Sequence, residues 1–104
     1  MANFEIIVNY VSGGGNGAPA LKAVTNVLSE NGHNYTVHQT QYKKHATELA
    51  SELTSGEDEV NLIVIGGDGT IGEVISGIVN FEKVTLGIVA SGTGNDFIRA
   101  AKLP

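Results

Sequence analysis

Residues Gly66–Thr70 (GGDGT) combine three glycines, a carboxylate and a hydroxyl between the apolar run Leu62–Ile65 and a stretch with helical character. A glycine-rich turn between a buried strand and a helix presents backbone N–H groups to a phosphate. Asp68 is unexpected in such a turn because its charge repels an anion. It has a chemical role if it coordinates a cation, orients a hydroxyl or accepts a proton during phosphoryl transfer. The alternative is structural, since Asp-Gly is a common turn dipeptide.

Two further glycine-rich segments follow predicted strands, at residues 12–17 (SGGGNG) and 91–96 (SGTGND). The first fits the dinucleotide fingerprint G-x-G-x-x-A only weakly, because no acid ends the second predicted strand to hold a ribose. A flexible loop is the alternative for this segment. In the second segment we assign Thr93, which lies between two glycines, to a phosphate or ribose, and we assign Asp96 to a helix N-cap.

The hydrophobic pattern predicts four strands that alternate with helices. The predicted strands cover residues 4–9, 35–40, 60–65 and 84–89. The predicted helices begin near Pro19, cover residues 46–53 and 71–79, and include a short last helix after Asp96. Thr70 and Glu73 have the spacing of a capping box, which makes Thr70 the predicted N-cap of the third helix.

Strands one, three and four are apolar on both faces, as parallel strands covered by helices are. The order of elements therefore predicts an α/β fold, a three-layer α/β/α sandwich with a mainly parallel, Rossmann-like sheet. In such a sheet ligands bind beyond the carboxyl ends of the strands, so the three glycine-rich loops are expected to share one edge. Tyr10 and Tyr42 flank that edge, where either residue can stack on an adenine or pack against the protein.

Length and composition limit the classes of function. The chain has 104 residues, 41% of them hydrophobic, which suits one domain with a core. It has no cysteine and a net charge of −5 with six basic residues, which argues against a disulfide framework, a nucleic-acid partner and a polybasic membrane surface. No apolar run approaches the ~20 residues of a membrane span. We expect a cytoplasmic domain without a histidine-based metal site.

These motifs carry a resemblance to a known family. GGDGT with Glu73, then residues 92–97 (GTGNDF), resembles the N-terminal catalytic domain of the diacylglycerol kinase family, which includes sphingosine and ceramide kinases. GGDGT alone is shared with NAD kinases and, in similar form, with phosphofructokinases, whereas the second motif favours lipid kinases. Residues 9–13 (NYVSG) are similar to the family's Asn-Pro-x-Ser-Gly segment, so the resemblance covers the whole chain.

The resemblance implies an ATP site used with Mg²⁺. It implies that Asp68 lies near the transferred phosphoryl group as the candidate catalytic residue. The nucleotide-binding residues that it implies are Asn9, Ser12, Gly13, Thr40, Gly66, Gly67, Asp68, Gly69, Thr70 and Thr93. Tyr10 and Ala90 depart from the family, which usually has proline at both positions.

In similar kinases a second, β-rich domain carries the lipid pocket, the magnesium-binding acids and the catalytic base. We therefore interpret residues 1–104 as a nucleotide-binding N-terminal domain whose lipid-binding domain is absent, and which is inactive alone. The parent enzyme is expected to transfer the γ-phosphoryl group of ATP to a diacylglycerol-like hydroxyl and to contact membranes peripherally, and the isolated domain is expected to self-associate. The alternatives are a non-catalytic nucleotide-binding module and an NAD kinase-like enzyme.

Overall fold

The computed structural model describes residues 3–10, 17–90 and 98–102. Its elements in chain order are β1 (Asn3–Val8), α1 (Gly17–Glu30), β2 (Asn34–Gln39), α2 (His45–Thr54), β3 (Val60–Gly66), α3 (Asp68–Gly77), a 3₁₀ turn (Phe81–Lys83), β4 (Val84–Ala90) and β5 (Ile98–Lys102). The four predicted strands are confirmed, and each of their ends lies within one residue of its predicted position.

The five strands form a single sheet in the order β2-β1-β3-β4-β5. Strands β1 to β4 are parallel to one another, and β5 pairs antiparallel with β4. The chain leaves β1 in one direction along the sheet to reach β2 and returns past β1 to reach β3. Strand order therefore reverses between β1 and β3, which makes the carboxyl ends of these two strands the topological switch point of a doubly wound sheet.

Helices cover both faces of the sheet, which confirms the three-layer α/β/α sandwich. The face under α1 is buried through a cluster of Ile6, Val8, Ala20, Val24, Leu28, Ile65 and Val89. The opposite face is buried under α2 and α3 through a cluster of Ile7, Ala46, Ala50, Leu62, Val64, Val74, Ile78, Val84 and Leu86. Alternate residues of β1 enter the two clusters because successive side chains of a strand point to opposite faces. Strand β2 is mostly exposed, as an edge strand can be.

The contact between α2 and α3 depends on a glycine. A Cβ atom added to Gly77 would overlap the backbone oxygen of Thr47. In the same contact the Thr47 hydroxyl donates a hydrogen bond to the backbone oxygen of Glu73 at 2.8 Å. These two features fix α3 against α2 and hence fix the position at which α3 begins.

Helix α1 is terminated by a glycine, Gly32. This glycine has φ 74°, in the left-handed region where glycine is favoured. The N–H of Gly32 donates to the oxygen of Ser29, and the N–H of His33 donates to the oxygen of Leu28. These two bonds form a Schellman motif, which turns the chain directly into β2.

Two predictions about helices are wrong. The segment predicted as a last helix contains β5, because β4 offers an unpaired edge and a helix of one or two turns is marginal without packing. Helix α3 begins at Asp68 with Gly67 as its N-cap, so Thr70 is not the N-cap and forms no capping box with Glu73. It ends at Gly77, two residues before the predicted end. The Asp96 N-cap prediction lies outside the described residues.

Candidate functional site

The carboxyl ends of β1, β2 and β3 lie side by side. Val8 is in register with Gln39 on one side and with Ile65 on the other. Backbone bonds extend this pairing past the strand ends, since Asn9 N–H donates to Ile65 oxygen at 3.0 Å and Thr40 N–H donates to Val8 oxygen at 2.9 Å. The edge predicted from sequence therefore brings Asn9 and Thr40 together with the GGDGT turn.

The GGDGT turn is built by close backbone packing. Gly67 is extended, with φ −85° and ψ −176°, and its carbonyl oxygen accepts the first helical bond of α3 from Ile71 N–H at 3.0 Å. Thr70 is the third residue of the helix, within its first turn, and is only 6% exposed. A Cβ atom at Gly66 would lie 2.8 Å from the Cβ of Thr70, so glycine is required for Thr70 to fold back over the end of β3.

A hydrogen bond between side chains joins the β1 end to α3. Asn9 Nδ2 donates to Thr70 Oγ1 at 3.1 Å in a partly buried position. The Thr70 hydroxyl accepts this bond and retains its own proton for donation. The bond connects two of the predicted site residues across the switch point, where a doubly wound sheet binds its ligands.

An open cleft of about 510 Å³ lies at this edge. Its lining residues are Asn9, Thr40, Gln41, Tyr42, Lys43, Gly69, Thr70 and Glu73. Four of them were predicted as nucleotide-binding residues, namely Asn9, Thr40, Gly69 and Thr70. The N–H groups in the first turn of α3, which include those of Gly69 and Thr70, have no acceptor within the helix and suit an anionic ligand.

The turn between β2 and α2 forms one wall of the cleft, the β2–α2 wall, and sequence reasoning missed most of it. Gln41 and Lys43 line the cleft there, and Glu73 lines it from α3. Of this wall only Thr40 and the aromatic ring of Tyr42 were noted from sequence. A signal was available, because residues that follow any parallel strand share the carboxyl edge whether or not they include glycine.

The β2–α2 wall is held by side chains. The rings of Tyr42 and His45 stack with centroids 4.3 Å apart and an interplanar angle of 15°. The Tyr42 hydroxyl donates to Glu48 Oε1 at 3.0 Å, and Gln41 N–H donates to His45 Nδ1 at 2.8 Å. Lys44, at the N-cap of α2, has φ 69°, a left-handed conformation that is unfavourable for a residue with a Cβ atom.

The hydrogen bond to Glu48 also affects the ionisation of Tyr42. It raises the pKa of the Tyr42 phenol above its ordinary value of 10.0, and desolvation and the nearby charges of Glu48 and Glu52 add to the effect. The phenol is therefore neutral at physiological pH and acts as the donor in this bond. The other predicted stacking residue, Tyr10, packs against the core cluster under α1.

Asp68 occupies a different position from the lining residues. It is exposed and is the first residue of α3, where a negative charge interacts favourably with the helix macrodipole. Gly66 and Gly67 shape the turn beneath the cleft and are likewise absent from its lining. Three predicted site residues, Ser12, Gly13 and Thr93, lie outside the described residues.

The charges around the cleft are few. Among the described lining residues, Lys43 is positive and Glu73 is negative. Within residues 3–10, 17–90 and 98–102 no group of three histidine, aspartate or glutamate side chains is placed to hold a metal ion. No helix in the described part of the chain is long and apolar enough to cross a membrane.

The sheet order and the cleft at its switch point define a doubly wound α/β domain. A family model described as the diacylglycerol kinase catalytic domain matches residues 3–104. The chain belongs to this family.

Comparisons with individual relatives agree with this family assignment. A diacylglycerol kinase of Bacillus subtilis is 35% identical over 105 residues, which cover 100% of this chain and 34% of the relative. A diacylglycerol kinase of Staphylococcus carnosus is 38% identical over 101 residues, which cover 96% of this chain and 33% of the relative. A solved structure from Bacillus anthracis strain Sterne, provisionally named a diacylglycerol kinase, has a TM-score of 0.71 and 32% identity, covering 91% of this chain and 34% of that one. The chain thus spans about a third of the relatives' length.

Proposed function

We propose that the cleft binds ATP with Mg²⁺ and that the chain is the nucleotide-binding part of a lipid kinase. The reaction is transfer of the γ-phosphoryl group of ATP to the hydroxyl of a diacylglycerol-like lipid. The observation that carries the proposal is the Asn9–Thr70 hydrogen bond, which joins the β1 and β3 ends at the switch point and lines the cleft with their side chains. Family membership supplies the reaction class.

The phosphates are assigned to the β3–α3 side of the cleft. The first-turn N–H groups of α3 and the hydroxyl of Thr70 donate to phosphate oxygens there. Lys43, which lines the cleft from the β2–α2 turn, is proposed to neutralise part of the phosphate charge. Because the chain has a net charge of −5, backbone amides and a cation must balance most of the charge of a nucleotide triphosphate. The segments with Ser12, Gly13 and Thr93 are proposed to complete this side.

Asp68 is proposed as the catalytic residue that meets the reacting end of the nucleotide. Its exposed carboxylate at the start of α3 can reach solvent-side ligands beyond the cleft lining. There it can bind a magnesium ion or orient the attacking lipid hydroxyl. Bound Mg²⁺ supplies neutralisation of the β- and γ-phosphate charge, and phosphoryl transfer itself depends on positioning and electrostatics more than on covalent chemistry of the protein.

Activity on a lipid is a proposal for a longer polypeptide, because the relatives that share this domain are about three times its length. We propose that the lipid site and any peripheral membrane contact belong to the portion of such a polypeptide beyond residues 3–104. The present domain is proposed to bind the nucleotide.

The test is transfer of labelled phosphate from ATP to diacylglycerol in mixed micelles, by a chimera in which this chain replaces the matching third of the Bacillus subtilis relative. Asp68→Asn keeps the size of the side chain and removes its charge, and we expect at least a hundred-fold loss of turnover with little change in the affinity for ATP. The matched control is Asp58→Asn, since Asp58 is also an exposed acid and precedes β3 at the opposite edge of the sheet. Normal phosphate transfer by a chimera that carries Asp68→Asn would contradict the role of Asp68.

A second candidate function is a nucleotide-binding module without catalysis. The observation that favours it is the position of Asp68 outside the lining of the cleft. The same chimera separates the two functions. If ATP binds and no phosphate is transferred, while the parent Bacillus enzyme is active under the same conditions, the module is favoured.

A further inference from the structure

Tyr42 is a large aromatic residue at the rim of the cleft, and its side chain is 55% exposed. Exposure of this kind leaves apolar ring surface in contact with water. Because a neutral ring face stacks on any aromatic ligand, the rim is chemically suited to a planar, aromatic part of a ligand.

The Tyr42 ring is fixed in place before any ligand arrives. His45 stacks on the ring at 4.3 Å and 15°, and the hydroxyl is bonded to Glu48 Oε1 at 3.0 Å. His45 is itself held, since its Nδ1 accepts the N–H of Gln41 at 2.8 Å. Both partners belong to α2, which packs closely on α3 at Gly77 and Thr47. A ring that is held at its edge and on one side loses little conformational freedom on binding.

The backbone beside this ring is strained. Lys44 has φ 69° and separates Tyr42 and Lys43 from the first residue of α2. The Cβ atom of a non-glycine residue makes this conformation unfavourable. Strain of this kind persists where the surrounding contacts fix it, and it is enriched at ligand sites. Here it turns the chain so that Tyr42 can stack back on His45.

The other tyrosines do not offer the same surface. Tyr10 packs against the core cluster under α1. Tyr35 is 40% exposed but lies in β2, and it does not line the cleft. Tyr42 therefore combines exposure, fixation and a place in the cleft.

We propose that Tyr42, backed by His45, is a stacking platform for the base of the nucleotide and gives the cleft its preference for purine over pyrimidine nucleotides. This deepens the proposed function and rests on it. The base lies on the β2–α2 wall while the phosphates lie at the start of α3. Purines have the larger ring system, so they gain more from the platform than pyrimidines do.

The first experiment uses the absence of tryptophan from the chain. Tyr42→Trp places a single fluorescent reporter on the platform, and Tyr35→Trp places the matched reporter on an exposed strand. In the Tyr42→Trp variant we expect ATP and GTP to quench the indole strongly, CTP to quench it weakly and inorganic tripolyphosphate to leave it unchanged. The Tyr35→Trp variant should respond to none of these ligands. Equal responses of the Tyr42→Trp variant to ATP and tripolyphosphate would overturn the proposal that the side chain at position 42 stacks on the base.

The second experiment measures affinities by calorimetry with the Mg²⁺ complexes of ATP and CTP. Tyr42→Leu is expected to weaken ATP binding about five-fold or more and CTP binding less, so that the ratio of the two affinities approaches one. Tyr42→Phe keeps the ring and is expected to retain most of that ratio. Tyr35→Leu is the control for loss of an exposed ring.

The outcomes separate the two proposals. If the unmodified chain binds ATP and Tyr42→Leu leaves the ATP-to-CTP ratio unchanged, the platform is overturned and the proposed function stands. If the unmodified chain binds neither nucleotide, both are overturned. A structural role for Tyr42 alone would lower both affinities equally in the Leu variant, and this too counts against the platform.

Discussion

The two walls of the cleft are both strand-to-helix turns at the carboxyl edge of one sheet, yet they are built in opposite ways. The β3–α3 wall is made by backbone, with Gly66 and Gly67 bringing Thr70 against the strand end. The β2–α2 wall is made by side chains, with Tyr42 stacked on His45 and bonded to Glu48.

The difference indicates which wall tolerates change. A backbone-built wall presents N–H groups in fixed positions and has no room for a Cβ atom at Gly66, so its chemistry suits the invariant phosphates of a nucleotide. A wall built by side chains can vary residue by residue, which suits recognition of one base among several. We therefore expect substitutions in the β3–α3 wall to affect the stability of the domain and its affinity for every nucleotide. We expect substitutions in the β2–α2 wall to affect its preference among nucleotides.

The largest effect is expected for Gly66→Ala. Its Cβ would approach the Cβ of Thr70 to 2.8 Å, so Thr70 must shift and its bond to Asn9 must lengthen. Overpacking of this kind typically costs about 1–3 kcal/mol in the free energy of unfolding. Urea denaturation measures the loss, and we expect binding of ATP and CTP to weaken together.

The matched control for this prediction is Gly72→Ala in the same helix. A Cβ at Gly72 meets nothing within 4 Å and the residue is exposed within α3. Alanine is favoured over glycine there by roughly 0.5–1 kcal/mol, so this variant should be more stable than the parent. Equal stability of the two variants would mean that close packing in the β3–α3 wall does not exclude a Cβ atom at position 66.

An intermediate effect on stability is expected for Lys44→Gly in the β2–α2 wall. Glycine adopts φ 69° without steric cost, and the change also removes a positive charge from the N-terminus of α2. We expect a gain of about 1 kcal/mol in the free energy of unfolding, measured by urea denaturation. The neighbouring Lys43→Gly is the control, and it should give no such gain because Lys43 lacks a positive φ. A loss of stability in the Lys44→Gly variant would contradict the inference that the backbone at Lys44 is strained.

The smallest effect concerns the titration of Tyr42. The bond to Glu48 favours the neutral phenol in the folded chain, so its pKa lies above 10.0. The stabilisation from this bond is complete below pH 10.0 and is lost as pH rises through the folded pKa. Subtracting the ultraviolet titration of Tyr42→Phe from that of the parent isolates this phenol. Glu48→Ala should move its midpoint to lower pH, and an unchanged midpoint would show that Glu48 does not hold the ring.

Much of the fold was predictable because the apolar runs of β1, β3 and β4 contribute to the core and each is followed in the sequence by a glycine-rich segment. The convergence of Asn9 and Thr40 on the GGDGT turn followed from the rule that parallel strands end at one edge. The bond between Asn9 and Thr70 was not predictable, since it joins residues 61 positions apart through specific side-chain positions.

The errors have local causes. Thr70 has the residue type and spacing of an N-cap, but the extended Gly67 starts the helix earlier and leaves Thr70 to pack on Gly66. Residues 98–102 lack a strong local preference, and the free edge of β4 decides their conformation. Gln41 and Lys43 in the β2–α2 wall were missed because they are ordinary polar residues outside any glycine motif, and their place in the cleft depends on tertiary structure.

The most direct test of the central claim is a titration of the isotopically labelled chain with ATP and Mg²⁺, followed by amide NMR spectra. The claim is that the nucleotide binds between the two walls at the switch point. Saturable shifts are predicted at Asn9, in residues 40–43 and in residues 66–70, with no shift in residues 57–59 and 80–83 at the opposite edge. The absence of saturable shifts between the walls, or shifts confined to the opposite edge, would contradict the claim.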